Sequence, residues 1–172
     1  MTIPELLTSM AILAFVLTGI MAVFVGGLNA TTDMNQRFQA QQDARLALTS
    51  LRKEAGSACS ESVAGGGASV TLAIPDAVNF CASSTQVTWC ASSASGTAPF
   101  GLYRQTGTTC SSSTGVRRAG SLTTSAVFTA VTASGQRPRL QVTFPVDANL
   151  RNTAGTYTLN DSITLRNASV SP

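Results

Sequence analysis

The chain has 172 residues, of which 44% are hydrophobic and 11% are charged, and its formal net charge is +3. This length is sufficient for one folded core, and the absence of histidine excludes histidine-based acid–base catalysis. The small net charge is only a weak signal for an acidic partner.

The first 32 residues are the most informative part of the chain. Glu5 is followed by Leu6–Thr32 without one charged side chain, and about 20 apolar residues are enough to cross a bilayer. The run is too long for the apolar part of a cleaved secretory signal, and no basic residue precedes it. Because a carboxylate at the end of such a run is costly in hydrocarbon, the pattern predicts a functional role for Glu5.

Beyond the apolar run, the spacing becomes that of an amphipathic helix. Apolar residues fall on one helical stripe, and they are Met34, Phe38, Ala44, Leu48 and Leu51. We predict one helix over about residues 2–54, with Gly56 as its C-cap. Its first part, 1–32, is the apolar assembly or transmembrane half, and 33–54 is the amphipathic half.

The remaining residues, 55–172, have the pattern of a β-rich head. Short runs rich in Val, Thr and aromatic residues are separated by Gly, Ser, Asn and Pro clusters, and they lie at 70–74, 86–90, 101–104, 126–131, 139–144 and 156–165. Without helices between them, such strands should pair antiparallel. We predict an α+β fold in which the stripe from Met34 to Leu51 covers one face of an antiparallel sheet, with no second domain.

Charges and cysteines give opposite indications of topology. The basic residues that flank the apolar run, Arg37, Arg45, Arg52 and Lys53, all follow it and would retain the head in the cytoplasm. Four cysteines in a Ser/Thr/Gly-rich setting instead favour an oxidising, extracytoplasmic location. Both indications hold if a basic leader preceded Met1 and was removed, so we predict that this sequence is a mature form.

The N-terminus resembles that of type IV pilins and type II secretion pseudopilins. The resemblance is carried by Thr2–Leu7 and Ser9–Leu13, with Glu5 at the position of the family's signature acid and Met1 where Phe is usual. The segment 45–54 resembles the continuation of the family's helix. In the head, the resemblance is to prepilin-type proteins of high-GC Gram-positive bacteria and to J-type pseudopilins, and it is carried by Val87–Cys90, Leu102–Arg104 and Ile163–Asn167.

The resemblance implies a pilin-like lollipop fold and a self-assembling fibre at the cell surface that serves adhesion, motility or DNA uptake. It further implies that Met1 is N-methylated, that Glu5 pairs with the amine of Met1 in an adjacent subunit, and that the helix loosens between 14 and 23, at Gly19. The implied partners are other copies of the chain, a prepilin peptidase, the inner-membrane pilus assembly machinery and, before assembly, the cytoplasmic membrane. The alternatives are a minor pilin or pseudopilin and a membrane-anchored binding head.

Glu5 also permits a local interpretation. Thr2-x-x-Glu5 fits a capping box, in which the carboxylate accepts a hydrogen bond from a free backbone N–H at the helix start. A capping box operates within a monomer, whereas a fibre requires a partner for Glu5 on another copy. The two roles are compatible.

The cysteines predict disulfides rather than a metal site. They are Cys59, Cys81, Cys90 and Cys110, and their spacing lacks the two close pairs that a thiolate metal site requires. We favour Cys59–Cys81, at the end of the helix, and Cys90–Cys110, across a hairpin region. Cys81–Cys110 is the competing pair.

No motif for catalysis or for cofactor binding is present. There is no Gly-x-Ser-x-Gly elbow, Gly65–Gly67 has no phosphate-loop lysine, and Asp76, Asp147 and Asp161 are too far apart in sequence for a calcium loop. We therefore expect no enzyme activity, no cofactor and no bound metal. The basic clusters 117–118 and 137–139 are either solvated loops or contacts for DNA or acidic polymers.

Overall fold

The computed structural model describes residues 3–77, 80–147 and 156–170. One helix, α1, covers Ile3–Ser57. Eight strands follow it: β1 (Ser60–Ala64), β2 (Ser69–Asp76), β3 (Phe80–Ser92), β4 (Phe100–Thr106), β5 (Val116–Leu122), β6 (Phe128–Val131), β7 (Arg139–Val146) and β8 (Tyr157–Thr164). A short 3₁₀ turn, Gly65–Gly67, lies between β1 and β2. The predicted α+β class is confirmed.

The eight strands of the described chain form one antiparallel sheet. Its order is β1-β2-β3-β4-β5-β7-β6, and β8 pairs with β7 along the full length of both strands. Near the β1 end of this order, the N–H of Val127 donates to the carbonyl of Gly67 at 2.9 Å, which joins the segment before β6 to the turn after β1. A Cβ at Gly67 would lie 2.6 Å from the carbonyl oxygen of Phe128, so this close approach requires glycine.

Strands β1 and β5 were not among the predicted runs. β1 contains two serines and a glutamate, and β5 contains Arg117, Arg118 and Gly120. Such compositions are typical of turns and solvated loops. They become strands because β2 and β4 supply backbone partners, with two register shifts between β4 and β5. A local sequence pattern does not reveal such pairing.

The helix packs on the sheet through small side chains. Its buried residues are Ala40, Ala44, Ala47, Leu48, Leu51 and Ala55, and they join a core that includes Trp89, Leu102, Val142 and Phe144. The prediction was right for Ala44, Leu48 and Leu51 and wrong for Met34 and Phe38, which are 71% and 60% exposed. The packed face is marked mainly by alanine, which allows close approach of helix and sheet, whereas the predicted stripe followed the larger apolar residues.

The helix ends later than predicted and without a glycine cap. It continues through Gly56 to Ser57, and Gly56 is not among the glycines with positive φ, so it does not act as the C-cap. The chain then changes its bonding partner, because the N–H of Ala58 donates to Ala55 and that of Cys59 donates to Ala73 of β2. Sheet pairing therefore replaces helical bonding within two residues.

Residues 1–36 and 37–172 are the two compact units of the chain. The second unit contains the sheet together with the helical residues 37–57 that cover it. The predicted division into 1–54 and 55–172 follows secondary structure and stays a prediction.

Candidate assembly site and helix-anchoring cluster

The N-terminal part of α1 is apolar on all sides and exposed. Every residue from 3 to 32 is exposed, and the large apolar side chains among them are Ile3, Leu6, Leu7, Met10, Ile12, Leu13, Phe15, Val16, Leu17, Ile20, Met21, Val23, Phe24, Val25 and Leu28. A helix without a polar face requires an apolar environment around it. This segment therefore presents an apolar surface on all sides.

Hydroxyl side chains inside the run bond to the helix's own backbone. Thr8 donates to the carbonyl of Glu5 at 3.0 Å, Ser9 donates to Leu6 at 2.9 Å, and Thr18 donates to Ala14 at 2.8 Å. A hydroxyl that bonds one turn back needs no water. The three hydroxyl groups are therefore compatible with an apolar environment.

Glu5 is exposed and lies in the first turn of the helix, where the helix dipole favours a negative charge. Met1 and Thr2 lie outside the described residues. Both the intermolecular pairing of Glu5 with Met1 and the capping box with Thr2 therefore stay predictions.

The helix is unbroken from Ile3 to Ser57, including Gly19. A Cβ at Gly19 would meet no atom within 4 Å, so this glycine is not required by packing within one copy of the chain. The loosening predicted between 14 and 23 concerns the fibre and stays a prediction.

Within the described chain, α1 is the one helix that is long and apolar enough to cross a membrane. A signal sequence near the N-terminus would meet the same criterion of length and composition. The helix thus indicates membrane association or a signal.

Glu54 anchors the last turns of α1 to the centre of the sheet. Its two carboxylate oxygens accept hydrogen bonds from the indole Nε1 of Trp89 and from the guanidinium Nε of Arg104, each at 2.7 Å. Trp89 is fully buried, and it is the register partner of Arg104 across β3 and β4. One carboxylate therefore accepts hydrogen bonds both from the buried indole of Trp89 and from the guanidinium of Arg104.

The sequence pattern did not identify Glu54 as the partner of Trp89. The sequence did indicate that Trp89, if buried, would need a hydrogen-bond acceptor for its indole N–H. Which acceptor reaches it depends on the packing of the helix, since the two residues are 35 positions apart.

A second row of contacts joins α1 to β8. Arg52 donates to Asp161 at 2.9 Å, and Arg45 donates to the hydroxyl of Tyr157 at 3.1 Å and lies over its ring. These contacts are exposed, so each contributes at most about 1 kcal/mol. They set the position of the helix along β8 more than they stabilise the head.

The four cysteines form the favoured pairs. Cys59–Cys81 joins the chain directly after the helix to β3, and Cys90–Cys110 joins β3 to the segment between β4 and β5. Their Cα atoms are 5.6 and 5.9 Å apart, within the usual range for a disulfide. The competing pair Cys81–Cys110 does not form.

The acidic residues do not converge on a metal site in the described part of the chain. Asp161 is occupied by Arg52, Asp76 is exposed on β2, and Asp147 is buried after β7. Glu61 on β1 has one carboxylate oxygen that is buried without a hydrogen-bond partner among the described atoms, and desolvation raises the pKa of this carboxyl. A single acid of this kind is not a metal site.

The long apolar N-terminal helix and the antiparallel sheet are consistent with a pilin-like fold. No protein-family model matches the sequence, and no curated protein or solved structure matches it.

Proposed function

We propose that this protein is the structural subunit of an extracellular type IV pilus-like filament. It is held in the cytoplasmic membrane by its N-terminal helix and then transferred into the fibre. The observation that carries the proposal is an exposed, uncharged helical segment of about 30 residues that follows Glu5 and belongs to the same helix that anchors a disulfide-bonded head.

The energetics support assembly over a free monomer in water. Fifteen large apolar side chains between Ile3 and Leu28 are exposed, and burial of each contributes about 1.5–3 kcal/mol. Even with a large discount for partial burial, removing this helix from an apolar environment costs tens of kcal/mol. A subunit that has left the membrane is therefore retained by other helices.

Hydrophobicity alone does not move the helix from lipid into a fibre, because lipid is already apolar. Helix packing and charge must decide that step. We propose that Glu5 pairs with the amine of Met1 on a neighbouring copy, since a lone carboxylate in an apolar interior is costly and a paired one is tolerated. Only one axial offset between neighbours brings the two groups together, so Glu5 sets the register of assembly.

The test replaces Glu5 by Ala in cells that process and assemble the chain. The variant should remain folded, disulfide-bonded and membrane-held, and sheared filament fractions should contain little or none of it. Asp43→Ala is the matched control, because this exposed acid lies in the amphipathic half of the helix; it should leave filament yield unchanged.

Normal filament yield from Glu5→Ala would overturn the proposed assembly mechanism. The same fractions separate a major from a minor subunit: a major pilin dominates the sheared protein, whereas a minor pilin or a pseudopilin is a trace component.

A further inference from the structure

Strand β8 lies at an open edge of the sheet. It pairs with β7 over its full length without a register shift, and β7 is its one strand partner within the described chain. Proteins commonly protect an edge strand with lysine, proline or a bulge, and β8 has none of these. A regular edge, eight residues long, is therefore available for pairing with a further strand.

Two backbone hydrogen bonds directly after β8 show which of its groups point outward. The N–H of Leu165 donates at 3.0 Å to Pro138, which precedes β7, whereas the N–H of Arg166 donates at 3.2 Å to Gly56 at the end of α1. Neighbouring residues of a strand direct their backbone groups to opposite sides, so the even-numbered residues of β8 point away from β7. These residues are Thr158, Asn160, Ser162 and Thr164, and all four are exposed.

The odd-numbered residues of β8 direct their side chains towards α1. Asp161 accepts a hydrogen bond from Arg52 of the helix, and Ile163 is buried. In an antiparallel pair, residues that lie opposite each other place their side chains on the same face. A strand added antiparallel to β8 would therefore direct every second side chain towards α1, and its intervening residues would donate their N–H groups to β8.

A groove lies between this edge and the last turns of α1. Ser162 and Thr164 line it from the sheet, and the charged residues that line it are Arg52, Lys53 and Arg166, all of them basic. Arg52 is paired with Asp161, whereas Lys53 and Arg166 are exposed and form no ion pair within the described chain. Side chains of an added strand that face the helix would lie beside these cations, so the groove favours acidic residues there.

We propose that the outer edge of β8 binds an extended acidic segment of another protein by antiparallel strand addition. Backbone hydrogen bonds to Ser162 and Thr164 provide the affinity, and acidic side chains at every second position of the segment provide the specificity. An edge that presents both N–H donors and C=O acceptors matches a peptide backbone, whereas an acidic polysaccharide would use the cations alone. The site lies within 37–172, so binding does not require polymerisation.

The acidic segment does not come from a second copy of the chain. The sequence has eight acidic residues, and no two of them are separated by a single position. No stretch of the chain can therefore present acidic side chains at the two-residue period of a strand.

The test measures the affinity of the full chain, in micelles of a neutral detergent, for a labelled octapeptide of alternating Thr and Glu. Two N-methylated forms of this peptide carry the same number of methyl groups. Methylation of the Thr residues removes the N–H groups that face β8 and should abolish binding, whereas methylation of the Glu residues should leave the affinity unchanged. Both forms are tested on the unmodified chain, so this result does not depend on the folding of a variant.

Variants of the chain test the two contributions separately. Ser162→Pro removes an outward-pointing N–H without removing a bond to β7 and should weaken binding roughly ten-fold or more, whereas Ser162→Ala retains the N–H and should bind like the unmodified chain. Lys53→Gln and Arg166→Gln should each weaken binding about two- to five-fold. Arg118→Gln is their matched control, because it removes an exposed charge outside this groove and should leave the affinity unchanged.

Glu5→Ala should bind the octapeptide like the unmodified chain, so a failure of the filament proposal leaves this result intact. Equal loss of binding from methyl groups on Thr and on Glu would overturn strand addition. Competition by polygalacturonate as strong as that by the unlabelled peptide at matched charge would overturn it as well, because the cations alone would then account for binding. Absence of saturable binding of the octapeptide would have the same consequence.

Discussion

The two parts of α1 differ in where they find their partners. From Ile3 to Thr32 all side chains are exposed, and Thr8, Ser9 and Thr18 donate hydrogen bonds to the helix's own backbone. From Ala40 to Ala55 one face is buried, and Arg45, Arg52 and Glu54 bond to strands. The second part of this continuous helix therefore belongs to a folded head, whereas the first part has an apolar surface that nothing in the described chain covers.

The largest effect should come from removing the first part. A chain that begins near Asn29 should be a soluble monomer with both disulfides and a folded head, while the full chain should be filamentous or detergent-dependent. Sedimentation without detergent and non-reducing electrophoresis measure the two properties. Polymerisation of the shortened chain to the extent of the full one would show that contacts between heads dominate.

Within the head, two leucines of the same helix separate burial from exposure. Leu51 is completely buried, so Leu51→Ala should lower the free energy of unfolding by about 2–5 kcal/mol. Leu46 is 68% exposed, so Leu46→Ala should change it by no more than about 0.5 kcal/mol. Denaturant unfolding in neutral detergent measures both, and equal losses would contradict the described packing face.

A smaller difference should separate the two ion pairs of the helix. Glu54→Ala removes the acceptor of a buried indole and of Arg104, and it should cost about 2–3 kcal/mol of unfolding free energy. Arg52→Ala breaks an exposed pair and should cost at most about 1 kcal/mol. Glu54→Gln should lower the unfolding free energy less than Glu54→Ala does, because an amide oxygen still accepts a hydrogen bond from Trp89. A smaller loss for Glu54→Ala than for Arg52→Ala would be incompatible with the anchoring role of Glu54.

The smallest effect should be the pH dependence due to Glu61. Desolvation raises the pKa of this carboxyl above 4.5, so the folded state binds its proton more readily than the unfolded state. Above the raised pKa, the ionised Glu61 carboxylate destabilises the head. This destabilisation disappears as the pH falls through the raised pKa towards 4.5. Glu61→Gln should therefore increase stability slightly at neutral pH, by less than about 1 kcal/mol because the group is partly exposed. A decrease at neutral pH would indicate a favourable partner for the carboxylate.

The sequence by itself determined the features that depend on local order along the chain. The helix was predictable because no proline or charge interrupts 6–32 and helical spacing follows it. Strands such as β2 and β7 were predictable from Val- and Thr-rich alternation. The sequence favoured the two disulfides that form but left Cys81–Cys110 as a competing pair, which the fold excluded.

Tertiary structure decided which surfaces meet. Small alanines, rather than Met34 and Phe38, form most of the packing face because short side chains let the helix approach the sheet most closely. β1 and β5 exist through pairing with neighbours, and Glu54 reaches Trp89 only once the helix lies on the sheet.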